Sequence, residues 1–506
     1  MMDPSKRIFV NTIAQYTKSF INVCLSLYTV PLILKALGDS DYGIYSLIAG
    51  VVALLAFVTN ALVVTTQRNI SFCLGVGDRE RTRRMFSNSV LLHLAVGALL
   101  SIVIIAVKVP VMSLLVIEDS RMDVAMTVYV MSLLMLFVSF ITAPFKALLI
   151  AHENIVFISV IEVFDGVLKL VLTLILLDMD VDRLLIYSYM MIGVFSFEFL
   201  VYTLYSVFKY EECRILKIFS DFDKESLKTL GDFAGWTTLG MGVIVGRNQG
   251  LSILFNRLFG TVINAAYGIA THLYAAVSFI SSSVLNAMNP QIMQAEGQSD
   301  RKKMIELSEK ESKLVVGLMS LCFVPLIVEM DGVLDAWLRG DVPPYTVLFC
   351  KCLLWGFILD QSTFGLHTAN QATGQIRDYT IIMYTPKLLF LGIAWAILKY
   401  SGSVPMVMYT YIGIELVMAL VRLPYMHKTI GIDTGHFIRY VFLRIIPLIL
   451  LLLVVSNLLK RCIDMNLRFL VTIPLSVMIG VVYSWFCVLD KDEKKGLLRI
   501  IGKNRE

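Results

Sequence analysis

Apolar stretches long enough to cross a lipid bilayer recur from one end of the chain to the other, and they restrict its possible folds more than any other feature. The runs from Leu91 to Val107, from Met131 to Ile150 and from Ile445 to Leu459, each taken with its flanks, are examples. A helix needs about 20 residues to cross the hydrocarbon core of a membrane. Because such runs occupy the whole chain, the sequence predicts an all-α integral membrane protein without a separate soluble domain.

The composition supports this prediction. Of the 506 residues, 57% are hydrophobic and only 16% are charged, whereas soluble globular proteins are far more polar. The formal net charge of +5 is modest, and lysine and arginine concentrate in short connecting segments, which indicates orientation in a membrane and no nucleic-acid partner. The eight cysteines are scattered without a CxxC pair, which favours core positions over a metal site.

Charged residues and Gly/Pro-rich breaks divide the chain into about 14 transmembrane helices. Their expected limits are 9–36, 41–66, 85–107, 122–149, 154–177, 183–208, 230–256, 260–289, 314–338, 345–367, 378–399, 404–426, 436–459 and 466–489. The basic connections, among them Lys209–Lys228 and Arg301–Lys313, fall on one side, which the positive-inside rule assigns to the cytoplasm. We therefore expect a multi-pass protein of the bacterial inner (cytoplasmic) membrane with both termini in the cytoplasm. The short links on the opposite side leave little room for an acceptor site, so no enzymatic activity is expected.

The second half of the chain repeats features of the first after about 220 residues. Tyr42-Gly43-Ile44 recurs as Tyr267-Gly268-Ile269, and Val96-Gly97 recurs as Val316-Gly317. An even number of helices separates the copies, so they share one orientation and predict two six-helix lobes related by an axis along the membrane normal. We expect the lobes at 1–210 and 211–429, two additional transmembrane helices at 430–490 and a basic cytoplasmic tail at 491–506.

Charged and polar side chains inside the spans are the candidates for a functional site, because a charge at the bilayer centre costs about 2.5–3.5 kcal/mol on insertion scales. The fifth span carries Glu162, Asp165 and Lys169, of which the last two can pair at i and i+4. The first span places a polar stripe on one helical face, at a spacing of three and four residues. This stripe, which we expect to face a cavity, contains Asn11, Gln15, Lys18, Asn22 and Ser26.

Other spans add single charges from both lobes. Arg247 lies in the seventh span, Asp360 in the tenth and Lys387 in the eleventh. Glu198 and Glu415 lie in the sixth and twelfth. Two interpretations stay open for these residues: ion pairs that hold the helices together, or the lining of a cavity that binds a ligand. For Arg247, which has no acidic residue one turn away, the cavity is favoured.

Four short motifs accompany the layout of six, six and two helices. They are Val30-Pro31-Leu32, Leu37-Gly38, Asp41-Tyr42-Gly43-Ile44-Tyr45 and Gln67-Arg68-Asn69-Ile70-Ser71. In these motifs and in this layout, essentially the whole chain resembles the O-antigen or capsule (Wzx-like) polysaccharide flippases of the multidrug/oligosaccharidyl-lipid/polysaccharide (MOP) exporter superfamily.

The resemblance implies a MATE/MOP-like fold with a cationic cavity between the lobes that opens alternately to each side. The cargo would be a polyprenyl-diphosphate-linked oligosaccharide, and arginine and lysine suit its diphosphate. The expected diphosphate- and glycan-binding residues are Arg247, Arg68, Lys18, Lys169, Lys387, Asn22 and Gln15. The expected ion-coupling residues are Asp360, Glu415, Asp165 and Glu198.

The resemblance implies no cofactor, and transport would be coupled to a proton, a sodium ion or the membrane potential. The expected partners are the lipid-linked glycan, membrane lipid and proteins of polysaccharide polymerisation and assembly. Two alternatives within the superfamily are a flippase for the peptidoglycan lipid precursor and a cation-coupled multidrug antiporter, whose cavity would be acidic and aromatic. A glycan polymerase or ligase is disfavoured by the short external links.

Overall fold

The structure is a computed structural model that describes residues 4–53, 55–108, 119–214, 221–338, 340–463, 467–491 and 493–495. Every regular element within these ranges is a helix, and no strand occurs among them. The predicted all-α fold class is therefore confirmed. The predicted basic tail at 491–506 lies mostly outside the described residues.

The chain divides into two compact units. The N-terminal unit comprises Ile13–Gly242, and the C-terminal unit comprises Val243–Glu506 together with Met1–Thr12. The boundary falls within a helix that runs over Lys224–Phe259. The limits predicted for the two lobes, 1–210 and 211–429, stay predictions.

The described residues before this boundary form six long helices. They are α1 (Pro4–Ala53), α2 (Ala56–Val76), α3 (Arg79–Ala106), α4 (Met122–Ala151), α5 (Ile155–Leu177) and α6 (Arg183–Lys209). Helix α4 is central, because it packs against α2, α3 and α6. It buries Val128, Tyr129 and Phe140, which form the core of the N-terminal unit with residues of its neighbours.

Helix α7 (Lys224–Phe259) leads into the C-terminal unit. It is followed by α8 (Thr261–Gly297), α9 (Arg301–Val328), α10 (Thr346–Gln361), α11 (Phe364–Thr373), α12 (Arg377–Ser401), α13 (Val404–Ile430), α14 (Leu443–Cys462) and α15 (Phe469–Tyr483). Helix α9 is central here and packs against α8, α10, α11, α14 and α15. Gly365 lets α11 approach α9 closely, since a Cβ atom at this position would lie 2.0 Å from the Ser308 carbonyl oxygen.

Ten described helices are long and apolar enough to cross a membrane, and the bent pair α10–α11, with 47° between its parts, is an eleventh if it forms one span. This is the pattern of a multi-pass membrane protein. Helices α2, α5 and α7 are also long enough but more polar; every 18-residue stretch of α5, for example, contains Glu162, Asp165 and Lys169. Adding these three helices gives the predicted number of about 14 spans, with which the structure is consistent.

The internal repeat appears in the positions at which helices begin. Helix α9 begins 222 residues after α3, α12 begins 222 residues after α5, and α13 begins 221 residues after α6. Capping repeats as well: Asp78 accepts a hydrogen bond from the Arg81 amide at the start of α3, and Asp300 accepts one from the Lys303 amide at the start of α9. The duplication predicted from the sequence is confirmed.

Two glycines at equivalent positions separate consecutive helical segments in the two copies. Gly38 interrupts α1 with φ 78° and ψ 168°, and Gly260, between α7 and α8, has φ 82° and ψ −172°. This backbone region is essentially restricted to glycine, because a side chain there would clash with the main chain. The break at Gly38 ends the first predicted span, 9–36, close to its expected limit.

Helices α14 and α15, the two additional helices of the prediction, are attached to α9 by ion pairs. Lys313 Nζ on α9 lies 2.9 Å from Asp490 Oδ2, and Arg468 Nε lies 3.1 Å from Glu329 Oε2 at the end of α9. Partial burial disfavours the ionised Asp490, but hydrogen bonds from Lys313 and Arg444 outweigh this effect and lower its pKa to about 2. These contacts hold both ends of the helix pair in the C-terminal unit.

Candidate functional site

Five charged side chains from four helices of the C-terminal unit form a connected group, the C-terminal charge cluster. Its members are Arg247 on α7, Asp360 on α10, Lys387 on α12, and Glu415 and Arg422 on α13. Arg247 Nη1 lies 2.5 Å from Glu415 Oε1. Lys387 Nζ bridges the two carboxylates, at 2.7 Å from Glu415 Oε2 and 3.0 Å from Asp360 Oδ1. Arg422 Nη2 lies 3.1 Å from Asp360 Oδ1.

All five residues line a cavity of about 200 Å³. Four of them are almost fully buried, with exposed fractions of 5% for Arg247, 4% for Lys387, 3% for Arg422 and 2% for Glu415. With every member ionised, three cations face two carboxylates. Buried charges are stable only when they are compensated, so the surplus positive charge makes this cavity suitable for an anionic group.

Two guanidinium donors of the cluster lack an acceptor among the described residues. The Nε–H groups of Arg247 and Arg422 are buried and make no hydrogen bond there. The guanidinium of Arg247 also lies over the ring of Tyr411, 4.8 Å from its centroid. A buried donor without a partner costs about 1–3 kcal/mol, so an acceptor that entered the cavity would stabilise the arrangement.

The bend between α10 and α11 positions Asp360 for these contacts. A helix end leaves backbone carbonyl groups without intrahelical partners. At this bend, Arg422 Nη1 donates to the Asp360 carbonyl oxygen at 3.0 Å and to Thr363 Oγ1 at 2.8 Å. Arg422 therefore stabilises the bend and also compensates the charge of the Asp360 carboxylate.

The N-terminal unit holds a second group of charges, the N-terminal charge cluster. Its members are Lys18 on α1, Lys146 on α4, Glu162, Asp165 and Lys169 on α5, and Glu198 on α6. Glu162 lies 2.7 Å from Lys18 Nζ and 2.5 Å from Lys146 Nζ. The predicted pair between Asp165 and Lys169 is confirmed at 2.7 Å. Glu198 lies within electrostatic reach of Lys146. Three lysines and three carboxylates leave this cluster without net charge when all are ionised.

Arg68 lines a different pocket of the N-terminal unit, with a volume of about 390 Å³. Its guanidinium lies 4.9 Å from the Phe72 ring centroid and donates to Asn69 Oδ1 at 2.9 Å. The charged residues that line this pocket are Arg68, Arg81, Arg84, Asp78, Glu80, Asp223 and Glu225. Hydrogen bonds from Ser226 lower the pKa of Asp223, which keeps this carboxylate ionised. Four acids against three arginines give no surplus of positive charge, and the diphosphate contact of Arg68 stays a prediction.

The predicted polar stripe of the first span is only partly accessible. Gln15 is buried, and the buried Asn22 Oδ1 receives no hydrogen bond from any residue in the described part of the chain. Gly166 brings α5 close to this point, since a Cβ on it would lie 3.1 Å from Asn22 Oδ1. The glycan-binding roles of Gln15 and Asn22 stay predictions.

Sequence reasoning did not assign Lys146 and Arg422 to the site. Both lie inside predicted spans, so the cost of burying a charge could have singled them out. Their partners could not be derived, because they lie on other helices. Arg422 shares a helical face with Glu415, yet it pairs with Asp360.

The sequence matches no protein-family model and no curated protein. Several solved structures share its fold. MATE in the bent conformation aligns with a TM-score of 0.72 and 16% identity over 85% of this chain and 96% of that chain. MATE in the straight conformation gives 0.70 and 16% over 85% and 97%. A MOP superfamily transporter from Pyrococcus furiosus gives 0.71 and 14% over 86% and 97%. The predicted MATE/MOP-like fold is confirmed.

Proposed function

We propose that this membrane protein flips a polyprenyl-diphosphate-linked oligosaccharide from the cytoplasmic to the outer leaflet of the bacterial inner membrane, for export of a surface polysaccharide such as O-antigen or capsule. The observation that carries the proposal is the surplus positive charge of the C-terminal charge cluster, with its two guanidinium donors that lack acceptors in the described part of the chain. A diphosphate supplies both the negative charge and the acceptor oxygens that such a site lacks.

The size of the cavity limits what it holds. Sites that enclose drug-sized ligands have volumes of about 300–1,000 Å³, and this cavity has about 200 Å³. It therefore suits the charged group of the cargo and not a glycan. Gln15, Asn22, Lys18 and Lys169 of the N-terminal unit remain candidates for contacts with the sugar, and the polyprenyl chain would stay in lipid.

Binding of the diphosphate also suggests how an ion is coupled to transport. In the cluster, Lys387 compensates both Asp360 and Glu415. A diphosphate that attracts Lys387 would leave these carboxylates less well compensated, and a proton or sodium ion would then replace the lost charge. Asp165 and Glu198 are the corresponding candidates in the N-terminal unit. Transport of this kind proceeds by alternating access, as expected for this fold, and makes or breaks no chemical bond.

Two other classes of cargo are the alternatives within the same superfamily, a peptidoglycan lipid precursor and a cationic drug. A peptidoglycan lipid precursor also carries a diphosphate, so the charge of the cavity does not separate it from a surface glycan. A cationic drug would be repelled by a cavity with surplus positive charge. The Pyrococcus furiosus transporter is described as having a binding pocket of reverse polarity that suggests a different function, and pocket polarity is therefore the property on which we base the choice.

The test is flipping of a fluorescent polyprenyl-diphosphate oligosaccharide in proteoliposomes that contain the full chain. Lys387→Met is the most informative variant, because it removes the surplus charge and still leaves Arg247 with Glu415 and Arg422 with Asp360. We expect flipping to fall at least about tenfold, equivalent to 1.4 kcal/mol of lost interaction.

Lys351→Met is the matched control, since Lys351 pairs with the exposed Asp331 outside the cavity. This variant should flip the lipid-linked oligosaccharide at the wild-type rate. A peptidoglycan lipid precursor and a cationic dye are offered in parallel. Transport of the dye without the glycan lipid would transfer the assignment to a multidrug antiporter, and preference for the precursor would transfer it to peptidoglycan synthesis.

A further inference from the structure

Glu311 on α9 is a fully buried carboxyl group surrounded by neutral partners. Its contacts are the amide of Asn289 on α8 and the hydroxyl of Thr368 on α11. Among the described residues, none forms a hydrogen bond with its Oε2 atom and no cation lies within ion-pair distance of the carboxyl group. A buried carboxylate without a counter-charge is strongly disfavoured relative to the neutral acid.

Many of the charged groups on α9 and on the elements packed against it form ion pairs that do not involve Glu311. On α9 itself, Glu309 lies 3.0 Å from His436 Nδ1, and Lys310 precedes Glu311 directly and so points about 100° away around the helix. Further pairs on these elements include Lys302–Glu306, Lys313–Asp490, Glu296–Arg301, Asp360–Lys387, Asp331–Lys351, Glu329–Arg468 and Arg444–Asp490. His367 on α11 contacts the rings of Phe364 and Tyr379. None of these groups compensates a charge on Glu311.

The side-chain amide of Asn289 can form hydrogen bonds with Glu311 whether Glu311 is protonated or ionised. The amide atom that faces this carboxyl lies 2.9 Å from Glu311 Oε1, 3.2 Å from Thr368 Oγ1 and 3.2 Å from the Leu285 carbonyl oxygen. An oxygen at this position accepts hydrogen bonds from a protonated Glu311 and from Thr368. A nitrogen there donates to an ionised Glu311 and to the Leu285 carbonyl. Since the two ends of an amide have almost the same shape, a half-turn exchanges one arrangement for the other.

We propose that Glu311, Asn289 and Thr368 form a proton-binding site in the C-terminal unit, in which Glu311 holds the proton and the Asn289 amide turns when the proton leaves. The site is separate from the C-terminal charge cluster, whose carboxylates face cations. The proton moves between the Glu311 carboxyl and water, so no further reactant is needed.

The position of this site links it, through helix packing, to the bend beside the cavity. Thr368 lies on α11, which joins α10 at the bend fastened by Arg422. Because Gly365 packs directly against the Ser308 carbonyl oxygen, a change between α9 and α11 is transmitted to the bend. The role of the proton in driving transport rests on the proposed function, whereas the existence of the site does not.

The test is infrared difference spectroscopy of the purified full chain in lipid, without substrate, as the pH is raised from acidic to alkaline. We expect a carbonyl stretching band of a protonated carboxylic acid at neutral pH that disappears at higher pH. The band should be absent in Glu311→Gln and retained in Glu309→Gln, the control two residues away, whose carboxylate faces His436 on another side of α9.

Three results would overturn the site: no such band at neutral pH, a band that persists in Glu311→Gln, or loss of the band on addition of sodium at constant pH, which would indicate a sodium site. If Glu311→Gln does not fold, Asn289→Leu replaces it, and removal of the hydrogen-bond partner must shift the band. In flipping assays, Glu311→Gln should lose the response to a pH gradient. Absence of flipping in the wild type and in every variant would refute the proposed cargo. The infrared band would still show whether Glu311 binds a proton.

Discussion

At the residue scale, the members of the C-terminal charge cluster should differ in how much their loss destabilises the protein. Arg422→Met removes a cation from Asp360 and two hydrogen bonds at the α10–α11 bend, and breaking a buried pair typically costs about 3–5 kcal/mol. Lys387→Met should cost less, because each carboxylate retains one arginine and the two hydrogen bonds of Arg422 at the bend stay in place. Denaturant unfolding in detergent micelles measures the difference.

The control for this comparison is again Lys351→Met, whose exposed ion pair should contribute about 0–1 kcal/mol. Equal losses of stability for Arg422→Met and Lys387→Met would contradict the role of Arg422 at the bend. Both variants must be compared at the same pH and salt concentration, since salt screens exposed charges much more than buried ones.

Only some of the contacts in the two charge clusters can be predicted from the sequence. The Asp165–Lys169 pair lies within one helix, so helical geometry predicts it. Arg247 and Glu415 are separated by 168 residues and lie on different helices. Their contact depends on how the helices pack. Apolar periodicity does not determine this packing, because the face of a span that contacts lipid and the face that contacts other helices are both apolar. The positions of buried charges are therefore predictable, whereas their partners are not.

At the scale of elements, the positive φ angles of Gly38 and Gly260 predict that a side chain at either position destabilises the break between the helices. Gly260→Ala should destabilise the C-terminal unit by about 1–3 kcal/mol, the usual cost of such a backbone conformation for a residue with a side chain. Gly268→Ala lies in the interior of α8 with no atom within 4 Å of the added Cβ. It should be neutral or slightly stabilising, because alanine favours helices. Thermal unfolding of both variants makes the comparison, and similar losses would argue against the break at Gly260.

The attachment of α15 through Asp490 should depend on pH. The pKa of Asp490 is lowered to about 2, against about 3.9 for an unfolded aspartate. Its stabilising contribution is therefore fully present above about pH 4 and is lost as the pH falls towards 2. Asp490→Asn should be less stable than the wild type at neutral pH, and the difference should vanish at about pH 2.

Asp335→Asn is the control for this measurement, because Asp335 is exposed and takes part in none of the ion pairs among the described residues. Its stability should equal that of the wild type at every pH. A stability difference for Asp490→Asn that persists at the acidic end would show that its ion pairs with Lys313 and Arg444 are not the cause.

At the scale of the whole molecule, the repeat was the strongest result available from sequence. Short motifs such as Tyr42-Gly43-Ile44 gave a period of about 220 residues, and the helices begin at a spacing of 221 or 222. The number of spans follows less directly from composition. Helix α5, for example, carries Glu162, Asp165 and Lys169, and these charges make it too polar to be recognised as a span from its composition alone. Membrane-spanning helices are thus hardest to count where charged residues lie inside them.

The topology can be tested at the bent pair α10–α11. Three segments, α9, α10–α11 and α12, lie between Gln298 and Ser401. If each crosses the membrane, these two positions face opposite sides, and the positive-inside rule places Gln298 in the cytoplasm. In a cysteine-free background, Ser401→Cys should react with a membrane-impermeant thiol reagent on intact cells, and Gln298→Cys only after permeabilisation. Reaction at both sites would make α10–α11 a re-entrant segment, and the chain ends would then lie on opposite sides of the membrane. The reverse labelling pattern would keep the number of spans and invert the orientation, placing the basic connections outside.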